Sequence, residues 1–417
     1  MLSNYICALD ISSSKIAAAV AQIKQRRITN IFFETQPSKG IKRGTIVDSI
    51  ELIGSISRTI KNLKAKSGIN IKLIYVNISG FDIITKHSRA IIPLAERGNK
   101  VITISDIERV NEQARILGSN LEEEIIHQIS QNYAIDSNDS ILNPLGLYSH
   151  RLEVDLYLVC SKLSFIQALN RSVNQAGYEI KDLFLSGLAT SEAVFKDWLK
   201  KGATVLCDIG SDITELLLFR DGIIKDVQII PAGGDLLTAE IADKLKIPFE
   251  LAEDVKVSYG GVSDQARAQD DKEILIKYNN AYKPINKKLV SEILTSGSKP
   301  ICQEIKAAVT KMLPFQEVDN FVTIGRTVLL EGFLEILEDS LGIAVKLGRV
   351  ANPHIIPWVN KDNALSGQRY LTYTTSLGII CQALYQPRPK IIPHYQPTQN
   401  PILNTINKLK EIYQEYF

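Results

Sequence analysis

The strongest constraint in this chain is a repeat. Ile6-Cys7-Ala8-Leu9-Asp10-Ile11-Ser12-Ser13-Ser14 near the start is matched by Thr204-Val205-Leu206-Cys207-Asp208-Ile209-Gly210-Ser211-Asp212 near the middle. Each is an apolar run ending in an aspartate and then small residues, and the two aspartates lie 208 − 10 = 198 residues apart. An apolar run bounded by small residues reads as a buried strand followed by a tight turn. Small residues let backbone N–H groups close around a phosphate. The strand-end carboxylate can hold the hydrated cation that phosphates bring with them. An aspartate that merely caps a turn has no reason to recur with the same neighbours. Two such loops at mirrored positions predict two pseudo-equivalent lobes gripping one polyphosphate, a nucleotide clamp.

A chain of 417 residues exceeds a single core and should divide into two to four compact units. With 45% apolar residues, 23% charged residues and a formal net charge of +2, it lacks the concentrated basic surface of a nucleic-acid partner. The five cysteines are scattered, with no disulfide or zinc spacing. Cys7 and Cys207 fall inside expected strands as small buried apolar residues. The N-terminus enters a strand almost at once without a signal peptide, and no apolar run reaches the ~20 residues of a membrane span. A cytoplasmic protein is expected.

The first lobe reads as a meander, with strands Lys15 to Gln22 and Ile28 to Glu34 after the first. The basic, glycine-punctuated loop Lys39 to Asp48 follows. A helix is expected from Ser49 to Lys66 with Ile50, Ile53, Ile56 and Ile60 on one face, then a strand Ile71 to Ile78 ending at the boundary Ser79-Gly80. An α+β unit then begins. Ser105-Asp106-Ile107-Glu108 reads as a capping box opening a helix to Leu117. The alternation from Leu152 to Cys160 reads as a half-exposed strand packed on one side. A helix Ser164 to Ala176 returns the chain to the first lobe.

The second lobe repeats the opening: strands to Asp208, Thr214 to Phe219 and Ile223 to Ile230, then helices from Asp235 to Ala242 and Glu250 to Ser258. Surface hairpins are expected between Asp264 and Pro284. A helix Lys288 to Leu313, a strand Asn320 to Ile324, a turn at Gly325, a helix Val328 to Leu337 and a strand Val345 to Leu347 complete it. Gln386 to Asn400, with four prolines, reads as an extended tether. Pro401 opens a terminal helix in which Ile402, Ile406, Leu409, Tyr413 and Tyr416 recur at steps of three or four, with Leu403, Ile412 and Phe417 beside them. Its apolar face suits a membrane interface or docking on a partner or its own domain. The long tether argues against tight self-docking.

Asp10 and Asp208 are the leading site candidates. The hydroxyls of Ser12, Ser13, Ser14 and Thr214 can donate to phosphate, and Lys15 either adds charge or lies solvated. Glu253 and Lys256 share a helix face, either to bracket a ribose and base or as an ordinary ion pair. Gly325 marks a third strand-to-glycine turn. His127 has no partner at ligand spacing and reads as a core or edge histidine.

The paired loops and element order resemble the actin/heat-shock-chaperone/sugar-kinase superfamily. Lys39-Gly40-Ile41…Gly44…Asp48, Asn132-Tyr133-Ala134-Ile135-Asp136, Asn143-Pro144-Leu145-Gly146, Ser186-Gly187-Leu188-Ala189, Ile230-Pro231-Ala232-Gly233-Gly234-Asp235 and Ala252-Glu253-Asp254-Val255-Lys256-Val257 are similar to the FtsA family of actin-like cell-division proteins. The resemblance implies an α/β fold: an actin-like two-lobed ATPase fold of duplicated mixed sheets, with a small inserted α+β subdomain. Segments 1–80 and 163–197 would form the first lobe, 81–162 the insertion and 198–385 the second lobe (231–318 its outer part). The tether, 386–400, and terminal helix, 401–417, follow. It also implies ATP and Mg2+ between the lobes, with Asp10 and Asp208 on the metal through water and head-to-tail self-assembly. Further implications are FtsZ, the tubulin-like division protein, held at the inner face of the cytoplasmic membrane through the terminal helix, and later division proteins recruited through the insertion.

By position, Asp10, Ser12, Ser13, Ser14 and Lys15 match the family's first phosphate loop. Asp208, Gly210, Ser211, Asp212 and Thr214 match the second, with Gly233 and Gly234 beside it. Glu253 and Lys256 match the ribose and base contacts, and Gly325 with Arg326 the adenosine loop. The family usually has glycine at Ser12 and a glycine run at Ser211-Asp212. Asp212 would repel phosphate unless magnesium intervenes, and Arg326, in place of a second glycine, could stack on adenine or block it. Ser186-Gly187 offers no group to orient an attacking water, so slow or absent turnover is expected. The competing reading is a PilM-type scaffold for type IV pilus assembly. A sugar or acetate kinase would need a catalytic aspartate and a larger insertion, and neither is found.

Overall fold

Two sheets of the same plan carry the repeated hairpins. In the computed structural model, which describes residues 5–95, 98–136, 138–196, 199, 201–262, 273–278, 281–359, 365 and 367–385, the chain opens with β1 (Tyr5–Ile11), β2 (Lys15–Lys24) and β3 (Arg27–Pro37). A small hairpin, β4 (Ile41–Lys42) and β5 (Thr45–Ile46), leads to α1 (Ser49–Ser67) and β6 (Leu73–Ile78). Next come β7 (Ile83–Pro93), β8 (Lys100–Val101), α2 (Ile104–Gly118), β9 (Glu123–Ile135), β10 (Asn138–Ile141), β11 (Tyr148–Ser149) and β12 (Arg151–Lys162). Then α3 (Leu163–Gln175), β13 (Glu179–Leu185) and α4 (Ser186–Val194) follow. The second half runs β14 (Ala203–Ile209), β15 (Thr214–Arg220), β16 (Ile223–Ile230), α5 (Gly234–Leu245), α6 (Phe249–Tyr259), β17 (Glu273–Tyr278) and β18 (Ala281–Asn286). It ends with α7 (Lys287–Met312), β19 (Asn320–Ile324), α8 (Phe333–Leu341), β20 (Val345–Leu347), α9 (Ile356–Val359) and α10 (Thr374–Tyr385).

The sheet orders are β3-β2-β1-β6-β13 and β16-β15-β14-β19-β20. In each, an antiparallel three-strand meander continues through two strands that pair in parallel. Both central strands are buried on both faces, as a sheet covered by helices on each side requires. On β2 the layers separate by parity: Ile16, Ala18 and Val20 belong to the cluster around α1, whereas Ala17, Ala19 and Ala21 belong to the large central core. Alanine is required on that second side because α10 comes close, with Ser376 Oγ donating to the Ala17 carbonyl at 3.0 Å. A Cβ on Gly378 would stand 1.8 Å from the Ala189 carbonyl of α4.

Several expected details are corrected. The face that α1 buries is Leu52, Ile56, Ile60 and Leu63 with Ser55 and Thr59, while Ile50 is 80% exposed. Asp48 caps that helix, so Ile50 falls in the free first turn before the chain reaches the sheet. The capping box of α2 is Thr103 with Asp106, not Ser105 with Glu108. Asp106 accepts from the Thr103 N–H and also pairs with Lys100, a partner that Glu108 lacks. The inserted sheet β10-β9-β12-β7 covers one face with α2, but Tyr157 and Val159 on the other face of β12 are buried in the central core. Gln131 on β9 donates to the Ile224 carbonyl of β16 at 3.0 Å. The expected helix Val328 to Leu337 is a 3-10 turn, Thr327–Leu329, followed by α8. Gly332 at φ +78° is left-handed and breaks the helix between them. The tether and terminal helix, with Ile402, Leu403, Ile406, Leu409, Ile412, Tyr413, Tyr416 and Phe417, lie outside the described residues. Among the described residues no helix is long and apolar enough to cross a membrane.

Candidate functional site

The two hairpin loops line one cleft of about 560 Å³, within the usual range for small-molecule sites. Register places their carboxylates. In β1–β2 the ladder closes Asp10↔Ala17 and Ile11↔Ile16; in β14–β15 it closes Asp208↔Glu215 and Ile209↔Thr214. Ser12 turns the first loop by directing both its N–H and its Oγ to the Lys15 carbonyl, at 3.0 and 2.9 Å. In the second, the Gly210 N–H reaches the Ile213 carbonyl at 3.0 Å. The N–H groups of Ser13, Ser14, Ser211 and Asp212 have no partner among the described residues. These are the donors a phosphate needs.

Asp10 is 5% exposed. Asn77, on β6, donates to its Oδ1 at 2.9 Å and to Ser186 Oγ at 2.9 Å, and accepts from the Ile11 N–H at 2.6 Å. Burial raises the Asp10 carboxyl above its ordinary range, and Lys15 pulls it back. Lys15 lies in the cleft and is not solvated: its Nζ stands 3.4 Å from Asp10 Oδ2 and donates to the Thr372 carbonyl. Desolvation lowers its pKa, opposed chiefly by Asp10. Asp208 is pushed up to about 6 by desolvation and then by Asp10, against Lys15.

Most expected site residues meet at this cleft: Asp10, Ser12, Ser13, Ser14 and Lys15 from one side, Asp208, Gly210, Ser211 and Asp212 from the other. Gly234, Glu253, Lys256, Gly325 and Arg326 complete its wall. Two do not take part. Thr214 is fully buried and spends its hydroxyl proton on the Ala232 carbonyl at 2.7 Å. Gly233 lies behind the loop, where a Cβ would stand 2.6 Å from the Ser211 carbonyl. Both brace the second loop. Asp212 gains a partner across the cleft, the Arg43 N–H of the Lys39 to Asp48 loop.

At the far end, Lys256 Nζ contacts Glu253 at 2.6 Å, Thr238 Oγ1 at 2.6 Å and the Gly234 carbonyl at 2.9 Å. The pair forms cleft wall, flanked by the apolar Phe249, Val257 and Leu330. Gly325, at φ +95°, admits no side chain, since a Cβ would lie 2.7 Å from Asp208 Oδ1. The Arg326 charge lowers the pKa of both Lys15 and Glu253, so it bears on both ends of the cleft. His127 sits in the core, where its Nε2 accepts from the Leu185 N–H at 2.9 Å.

Sequence reading missed Glu215, Ser79 and Asn77. Glu215 is 3% exposed and lines the cleft. Its Oε1 accepts from the Gly187 N–H at 2.8 Å, and its Oε2 from Ser79 Oγ. A carboxylate from β15 thus occupies the start of α4, where Ser186-Gly187 offered none. Desolvation, with Asp208 and Asp10 nearby, raises it to about 7 against the Ser79 and Gly187 hydrogen bonds. The available signal was register: Glu215 follows Asp208 by the same seven residues (215 − 208 = 7) that separate Ala17 from Asp10 (17 − 10 = 7). Among the described residues no cluster of three or more His, Cys, Asp or Glu could hold a metal ion directly. The donor set fits a cation bound through water and phosphate.

Comparison with known proteins agrees with this fold. The model "Cell division protein FtsA" matches residues 205–378, and "SHS2 domain inserted in FTSA" matches residues 80–160. The chain is 26% identical over 350 residues to the cell division protein FtsA of Pseudomonas aeruginosa, covering 82% of each. It is 26% identical over 373 residues to that of Bacillus subtilis, covering 89% of this chain and 82% of the relative. Among solved structures, a PilM-PilN type IV pilus biogenesis complex is similar at 15% identity and TM-score 0.61, with 92% of this chain and 99% of that chain covered. MreB5 of Spiroplasma citri bound to ADP is similar at 10% identity and TM-score 0.51, with 86% and 95% covered. At those identities the likeness is one of fold.

Proposed function

The chain belongs to the FtsA family of cell-division proteins, and from that premise we propose that it is an ATP-binding division scaffold. The carrying observation is that Asp10 and Asp208, at equivalent places in two matching hairpins, line one cleft. Both carboxylates would hold a hydrated Mg2+ from opposite sides. Lys15 would offset phosphate charge, and the N–H groups of Ser13, Ser14, Ser211 and Asp212 would take phosphate oxygens. Glu253 and Lys256, with Gly325 and Arg326 on the same cleft wall, would meet the ribose and base. Bound Mg2+ supplies charge neutralisation along the polyphosphate.

The family premise extends to the rest of the notional assembly. Copies of the chain associate head to tail into filaments. Residues 401–417, with the apolar spacing read from the sequence, hold them on the inner face of the cytoplasmic membrane at the division site, where they carry FtsZ. Later division proteins dock on the insertion, which exposes Ile104, Leu121, Leu142 and Tyr148. A pilus-scaffold reading has only likeness of fold behind it. The test is sedimentation with liposomes and purified FtsZ. The full chain should carry FtsZ into the liposome pellet, and a chain lacking residues 401–417 should leave both in the supernatant. Equal pelleting of the two forms would contradict the membrane role.

A further inference from the structure

Away from the cleft, the two meanders turn in the same way with different residues. Each closes a two-residue turn, Lys24↔Arg27 around Gln25-Arg26 and Arg220↔Ile223 around Asp221-Gly222. All four central residues are left-handed, at φ +50°, +58°, +52° and +79°. Asp-Gly suits such a turn, whereas Gln-Arg sits against the backbone preference. In the second lobe the charges are spent internally: Arg220 pairs with Glu317 at 2.7 Å, and Asp221 accepts from the Gly202 N–H at 3.0 Å. In the first, Lys24, Arg26 and Arg27 are all exposed, and none has a carboxylate partner among the described residues. Lys72 joins them at this end of the sheet, because its N–H donates to the hydroxyl of Tyr5, which stands across the ladder from Gln22. The last turn of α1 adds Lys64 and Lys66, the second held by Glu34. The start of β13 is closer to balance, with Glu179, Lys181 and Asp182. A formal net charge of +2 conceals this local excess. Helix α10 carries the chain to it. It packs beside Ala17 near its start, and at its end burial raises the Tyr385 hydroxyl pKa while the Arg27 charge lowers it. The chain thus passes into residues 386–417 from the basic end of the first lobe.

We propose that this end of the first lobe, centred on the turn Lys24–Arg27, binds the headgroups of an anionic lipid bilayer. The proposal rests on the membrane reading above and adds an electrostatic contact on the folded body to the apolar one expected of residues 401–417. A helix lying in a membrane interface usually presents a cationic polar face, but residues 401–417 set Lys408 and Lys410 against Glu411 and Glu415. A single apolar anchor holds marginally, and a basic patch beside it makes attachment stable. Each lysine or arginine close to an anionic surface strengthens binding about fivefold. The effect fades beyond a Debye length, so the cations must lie where the chain approaches the membrane. The turn does so, since α10 ends beside it.

The test is cosedimentation of the full chain with phosphatidylcholine vesicles and with vesicles carrying roughly one third phosphatidylglycerol. The parent should bind the anionic vesicles at least about tenfold more tightly and lose that preference in high salt. A variant combining Lys24→Gln, Arg26→Gln and Arg27→Gln should lose at least about tenfold on the anionic vesicles. Its binding to neutral vesicles and its thermal unfolding midpoint should match those of the parent. A control removing the same charge from exposed positions of α7, Lys288→Gln with Lys299→Gln and Lys311→Gln, should keep the parent's preference. Parental binding of anionic vesicles by the turn variant would assign the patch to another anionic partner, such as an acidic protein. That result would overturn the proposal while leaving the membrane reading intact. Equal losses in the turn variant and the control would reduce the effect to net charge and also overturn it. A parent that pellets with neither kind of vesicle would overturn both readings.

Discussion

The β1–β2 and β14–β15 hairpins share loop length and register and differ in charge. The first pairs Asp10 with Ala17 and supplies Lys15; the second pairs Asp208 with Glu215, carries Asp212, and has Ile213 at the place of Lys15. One side therefore brings a cation to the cleft and the other accumulates carboxylates. Duplication provides the frame, and the chemistry is divided between the copies. The phosphate-compensating charge sits with the first hairpin, while the second needs a metal ion or bound water to balance it.

The sharpest way to break this comparison is to make the hairpins alike. Ala17→Glu would place a carboxylate opposite Asp10 under α10, with none of the donors that Gly187 and Ser79 provide to Glu215. An unpaired buried charge costs about 3–5 kcal/mol, so chemical denaturation should show a loss of that size; a loss below about 1 kcal/mol would mean that the two environments are interchangeable. Gly187→Ala drives a methyl into Glu215 and Leu217 and should cost about 1–3 kcal/mol by the same measurement. Parental stability would show that the close approach is relaxed.

The titration of the second hairpin is the next test. Asp208 and Glu215 are raised to about 6 and about 7, so the folded state binds protons more tightly than the unfolded chain. Their stabilising contribution is present below ordinary carboxylate values and lost as pH rises through 6 and 7. Ligand-free protein should therefore lose a few kcal/mol (about 4 at most) between pH 5 and pH 8, and Glu215→Gln should flatten that slope. An identical slope in the variant would remove Glu215 as its source. The smallest effect is expected at Asp212. Asp212→Asn keeps an acceptor for the Arg43 N–H and removes one negative charge from the phosphate side. Affinity for an ATP analogue should tighten by roughly two- to fivefold, under about 1 kcal/mol. Weaker binding would mean that the carboxylate helps hold the metal.

What the sequence revealed follows from the range of the interactions involved. The hairpin motifs are local, so the strands, both loops and the carboxylates at their ends were legible, as was the fold class. Long-range neighbours were not. The twelve residues of α10 show no helical phase, because the helix is buried on nearly every side and mixes polar with apolar residues, and no helix was expected there. Ile50 looked like part of the α1 stripe because spacing alone does not say where the sheet begins. Glu215 escaped notice because the search for a water-orienting group followed the chain to Ser186-Gly187, whereas the side chain arrives there from another strand. Thr214 and Gly233 matched the loop by position, yet their backbone neighbours leave them behind it.

Both hairpins must meet one triphosphate if the account holds, and equilibrium titration with a fluorescent ATP analogue in Mg2+ tests that directly. The parent should bind saturably, and Asp208→Ala and Asp10→Ala should each abolish binding while remaining folded. Undiminished affinity in either variant would mean that the nucleotide is not held between them.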